Sequence, residues 1–147
     1  MKRAIVSLAL LFLTAAAAHG QSRPMSVLGL WMTEGGKSRV QVYPCGAKVC
    51  GRIVWLREPN DVAGLPKVDG KNPKPDMRKR RIVGTMILWD LVKGDDPGEW
   101  ESGRIYNPED GETYRVKLTL RPDGKLRVRG YLGISLLGKT QFWERTR

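Results

Sequence analysis

Apolar and polar side chains alternate most strictly between Gly111 and Leu132. Tyr114, Val116, Leu118 and Leu120 take one parity; Arg115, Lys117, Thr119 and Arg121 take the other. Beyond Pro122-Asp123-Gly124 the rhythm resumes, with Leu126, Val128 and Leu132 set against Lys125, Arg127, Arg129 and Tyr131. A period of two predicts half-buried strands. Pro-Asp-Gly supplies a fixed φ, a turn-capping carboxylate and a position tolerant of positive φ, so the two arms form a hairpin. One of its faces is apolar and the other strongly basic.

Shorter stretches repeat the pattern. Strands are expected within Ser26 to Thr33, Arg39 to Pro44, Val49 to Arg57, Ile82 to Val92, Glu99 to Tyr106 and Lys139 to Arg145, separated by Gly-, Pro- and Asp-rich turns. Ile82 to Val92 is apolar on both parities, which suits a central strand or one covered from outside. Glu58 to Arg81 breaks the rhythm with four prolines and two glycines, a possible helical turn after Pro75, and the charge run Arg78-Lys79-Arg80-Arg81. Connections of that length are usually functional or mobile. Eight short strands and no long amphipathic helix mean an all-β domain, an up-and-down antiparallel barrel or a sandwich. The interior of an eight-stranded barrel is filled by side chains or holds one small ligand.

The N-terminus carries a different signal. Lys2 and Arg3 precede an almost wholly apolar run, Ala4 to Ala18, and Ala18-His19-Gly20 places small residues around a cleavable bond. This is a secretory signal peptide pattern, shorter than a membrane span. The expected organisation is residues 1–20 as signal peptide and 21–147 as one β-barrel domain, periplasmic or secreted. The chain of 147 residues has 26 basic and 15 acidic side chains. Without Lys2 and Arg3 the surplus is nine positive charges, 24 against 15. Such a charge in an exported protein points to anionic envelope material rather than nucleic acid, or serves solubility alone. An oxidising compartment also makes Cys45 and Cys50, the two cysteines of the chain, a disulfide.

Candidate chemistry is sparse. His19 is the single histidine, and it lies within the expected signal peptide. The body of the chain therefore lacks a Ser-His-Asp or Cys-His triad and the commonest zinc ligand. Asn107-Pro-Glu-Asp-Gly111-Glu112 offers carboxylates without the spacing of a calcium loop. Glu101, Glu112 and Glu144 lie on strands, but no spacing selects a glycosidase-like pair. No catalytic residue, metal or cofactor is expected, and the chain reads as a non-enzyme.

Two resemblances add to this. Gly29-Leu30-Trp31 resembles the Gly-x-Trp signature of lipocalins, where the Trp plugs the barrel base beneath a basic residue of the last strand; Arg145 matches that residue. More broadly, Gly29-Leu-Trp, Val49-Cys-Gly-Arg-Ile-Val-Trp, Gly103-Arg-Ile-Tyr-Asn-Pro-Glu-Asp-Gly-Glu-Thr-Tyr and Val128-Arg-Gly-Tyr-Leu-Gly-Ile-Ser-Leu-Leu-Gly-Lys-Thr-Gln-Phe-Trp resemble, in the same order, a family of small secreted bacterial proteins. It is catalogued as domain of unknown function (DUF) 2147. The resemblance implies a lipocalin-like (calycin) barrel and an exported location, and no established activity. Asn107 stands where the family pattern suggests Asp, which weakens any metal role for that turn.

Two functions are then in view. The first is a barrel binding a small hydrophobic or amphipathic ligand, lined by Trp31, Trp55 and Tyr114. The alternative is an envelope interaction protein that docks anionic polymer or lipid on Arg115, Lys117, Arg127 and Arg129. Aromatic rings are not interleaved on that basic face as stacking platforms, which argues against nucleic acid.

Overall fold

The alternation of the organising hairpin becomes a wall of the molecule. Val116, Leu118, Leu126 and Val128 are buried, while their sequence neighbours Arg115, Lys117, Arg127 and Arg129 are not. The computed structural model describes residues 25–133 and 138–147. The expected signal peptide lies outside the described residues, as does most of the link between the last two strands. Eight antiparallel strands form a closed barrel. They are β1 (Gly29–Met32), β2 (Ser38–Cys45), β3 (Lys48–Leu56), β4 (Met86–Lys93), β5 (Glu99–Asn107), β6 (Glu112–Leu120), β7 (Leu126–Tyr131) and β8 (Lys139–Arg145). Each pairs with the next, and β8 returns to β1 with Trp31 opposite Arg145 and Met32 opposite Glu144. This closure decides between barrel and sandwich.

Inward positions from the base to mid-barrel are filled. Trp31, Trp143, Leu88, Leu91, Leu118, Leu126, Val40, Val42, Val49 and Val116 are essentially without exposed surface. Two inward glycines show how tightly. A Cβ on Gly51 would press on Leu88, and one on Gly103 would press on Leu91. These leucines occupy the volume the glycines leave, as close packing requires.

The base is closed by the lock that the lipocalin resemblance suggests. Trp31 donates its indole N–H to the Val27 carbonyl at 2.8 Å. The Arg145 guanidinium lies 4.2 Å over the indole ring, a cation–π geometry. It also donates to the carbonyls of Leu28 and Ser26. The segment that crosses the base is thereby tied to the final strand.

β4 begins at Met86, four residues later than the apolar run suggests. An isolated bridge between Val68 and Arg81, and a positive φ of 97° at Gly84, hold Ile82 to Thr85 in a turn. The double parity of β4 comes from an irregular register between β3 and β4, which leaves both Ile87 and Leu88 buried. The Cys45–Cys50 disulfide is formed and clamps the β2–β3 hairpin.

Candidate functional site

The long β3–β4 connection, residues 57–85, is an ordered strap across the outside of the barrel. Its anchor is Asp69, a fully buried carboxylate. One oxygen of Asp69 accepts the Tyr106 hydroxyl at 2.6 Å. The other accepts the Asn72 amide at 2.8 Å and two Arg80 N–H groups at 3.1 and 3.0 Å. A buried carboxylate is tolerable only when paired and hydrogen-bonded in this way. Tyr106 comes from β5, so the cluster ties the strap to the barrel wall. Burial, and then the Asp69 carboxylate beside it, push the Tyr106 hydroxyl up to about 12. A second tie is Lys71, which donates to the Glu109 carbonyl at 2.6 Å. Its backbone packs where Gly111 has no side chain. The single turn expected after Pro75 is a 3-10 turn, Pro75–Met77, on the strap.

Between strap and wall lies an open-sided groove of about 630 Å³. Its apolar surface is Trp89, Met86, Met77, Pro73 and the Cys45–Cys50 disulfide. Asn72, Tyr106 and Thr113 line it too, and Lys48, Asp90, Lys74 and Arg80 supply its charges. Lys48 is held by Asp90 at 2.8 Å and Arg80 by Asp69. Lys74 has no carboxylate partner among the described residues, so one cation remains uncompensated. The groove therefore suits an elongated apolar body carrying an acidic group. A smaller concavity of about 410 Å³, between the Glu34–Gly36 turn and β8, is lined by glycine backbone and the already paired Lys125 and Glu144. It has fewer apolar walls, and its unpaired charge among the described residues is the Glu34 carboxylate, which disfavours an anion.

The residues singled out from sequence are spread over the barrel. Trp31 is the fully buried plug of the base. Trp55 stands opposite Arg39, whose guanidinium covers its ring at 4.9 Å; its alternation with core Val40 places Arg39, and so Trp55, away from the interior. Tyr114 is half-buried opposite Ile105 and gives its hydroxyl to Asp110 at 2.8 Å. These three aromatics do not converge. Cys45 and Cys50 do lie at the groove. The groove's anchor has no local signal in the sequence, because Asp69 meets Tyr106 from 37 residues away. The length of the connection and its Arg78–Arg81 basic run were the visible hints.

The four basic residues share the outer face of β6 and β7 but differ in their company. Lys117 reaches Glu99 at 2.5 Å and Glu101 at 3.8 Å, and the Glu99 hydrogen bond holds its ammonium above the usual lysine range. Arg129 donates to the Thr140 hydroxyl at 2.7 Å. Arg115 and Arg127 have no ion-pair partner among the described residues.

In the acidic turn at residues 107–112, Asp110 is held by groups of the turn itself, whereas Glu109 pairs with Lys37 at 2.9 Å. Burial alone would raise the Asp110 carboxyl. Hydrogen bonds from the Glu112 backbone, the Tyr114 hydroxyl and the Asn107 amide hold it below the usual carboxylate range. Glu101 turns to Lys117 and Glu144 to Lys125. No group of three or more His, Cys, Asp or Glu side chains is placed to hold a metal among the described residues.

Residues 29–145 match the family described as "Uncharacterized protein conserved in bacteria (DUF2147)". Among solved structures, the chain is similar to HP1028 from the human pathogen Helicobacter pylori, which is described as belonging to the lipocalin family. The two share 26% sequence identity with a TM-score of 0.73, over 84% of each chain. No curated protein matches.

Proposed function

The chain belongs to the DUF2147 family, and on that premise we propose that it is an exported lipocalin-like barrel whose ligand is a small amphipathic anion. The ligand lies in the groove between the strap and the outer wall. The observation that carries this reading is the groove itself. It has the volume of ordinary small-molecule sites, which are mostly apolar with a few placed polar groups, and it retains one unpaired cation at Lys74. The filled lower barrel supports an external site. The disulfide and the lipocalin-like fold are consistent with an exported protein.

Displacement of a fluorescent fatty-acid analogue tests the assignment. Long-chain carboxylates should displace it better than the matching alcohols. Lys74→Glu should weaken carboxylate binding about tenfold, the scale of one charge-assisted hydrogen bond at 1.5–3 kcal/mol, and Trp89→Ala should weaken both ligand types. Gly130→Leu adds bulk at an inward position where the nearest atoms are 3.7 to 3.9 Å from a new Cβ, so it should leave groove binding intact. Loss of binding in Gly130→Leu with none in Lys74→Glu or Trp89→Ala would move the ligand inside the barrel and overturn the groove assignment.

A further inference from the structure

The outward side chains of β4 to β7 contain a row that neither the groove nor the base lock explains. Trp89 stands opposite Arg104, Arg104 opposite Arg115, and Arg115 opposite Tyr131. Two arginines thus face each other directly across adjacent strands, with an aromatic ring at each end. Like charges in that position destabilise a sheet. Neither arginine has a carboxylate partner among the described residues; Arg104 only turns back on the Gly103 carbonyl at 3.2 Å. The nearby acids Glu99 and Glu101 are both engaged by Lys117. Residues 1–24 and 134–137 contain no Asp or Glu.

We propose that this row docks the protein on an anionic phospholipid surface. The charge is complementary: two adjacent guanidinium forks match phosphate oxygens bidentately. The ends of the row argue for lipid over a soluble polyanion. Trp and Tyr favour the depth of the lipid headgroups, where an amphipathic ring has both an apolar and a polar neighbour. Both rings are half-buried here. They stand at the two ends of the row and not between the cations, so they do not form the successive stacking platforms that a nucleic acid strand uses. Trp89 also lines the groove, so docking brings the groove's edge to the headgroup layer. The inference stands without an occupied groove, and the two readings fail separately.

The test is co-sedimentation of the exported protein with vesicles of phosphatidylcholine alone, or with 30% phosphatidylglycerol, over a range of salt. Binding is expected only to the anionic vesicles and should fall with salt, since each surface cation contributes about 1 kcal/mol within a Debye length. The double variant Arg104→Glu, Arg115→Glu should lose at least tenfold in vesicle affinity while still displacing the soluble probe at the groove. A charge-matched control, Lys37→Glu with Lys67→Glu, should keep vesicle binding, and thermal melts establish that both variants are folded. Equal loss in the two double variants would reduce the effect to net charge and overturn the site. So would absence of binding to anionic vesicles, or tighter binding to dextran sulfate that competes the vesicles away.

Discussion

Asp69 has no exposed surface, and four donor contacts converge on its carboxylate. Truncating it leaves Arg80, Asn72 and Tyr106 facing a hole. Asp69→Ala should therefore destabilise the fold by roughly 2–4 kcal/mol, the range for breaking a buried charged network, measured by urea denaturation. Tyr106 makes a pH prediction. Its folded pKa is raised to about 12 from an ordinary value of 10.0. The fold therefore favours the protonated phenol. The stability this gives is complete below pH 10 and is lost as pH rises towards 12. Tyr106→Phe should cost about 1.5–3 kcal/mol at neutral pH and flatten that part of the alkaline decline, followed by denaturation midpoints between pH 9 and 12.

At the level of elements, the strands were legible because a period of two is written locally. The hairpin arms, β5 and β8 fall where alternation places them, and Pro122-Asp123-Gly124 makes the expected turn, with Gly124 at φ 81° and the Asp123 carboxylate accepting the Lys125 N–H. The strap was legible as a length, a turn after Pro75 and a basic run, but not as a structure fixed to the barrel. What orders it is tertiary: the Asp69 carboxylate and the Arg80 guanidinium of the strap meet the Tyr106 phenol of β5, a convergence that no local pattern marks. The start of β4 was misplaced for the same reason, since the Val68–Arg81 bridge that pre-empts it is not a sequence pattern. The convergence of groove residues was likewise invisible, because it depends on which outward positions the strap covers. Reducing the Cys45–Cys50 bond should cost about 2 kcal/mol, as a loop this short gives little chain-entropy gain; melting with and without reductant measures it. Gly111→Ala combines a backbone φ of 78° with a Cβ set against the Lys71 carbonyl. It should loosen the strap first, seen as faster hydrogen exchange over residues 69–80 with β6 and β7 still protected.

Taken whole, the barrel is continuous but uneven. β6 and β7 share six paired positions, whereas β1 and β8 share two. That seam is held by the Arg145 guanidinium over Trp31 and its bonds to the base-crossing carbonyls. Arg145→Ala should open the seam preferentially, with exchange rising in β1 and β8 well before β6, and should lower the melting temperature by several degrees. The seam has a consequence for how the protein is made. Arg145 lies more than a hundred residues along the chain from Ser26 and Leu28, whose carbonyls it holds. A nascent chain that has emerged only as far as β7 is an open sheet with two bare edges, which is the state most exposed to pairing with other chains. Closure waits until Arg145 is out. Until then β1 and β7 stay the unpaired margins of an unclosed sheet, and the last seven-residue strand decides whether they meet its own chain or another's.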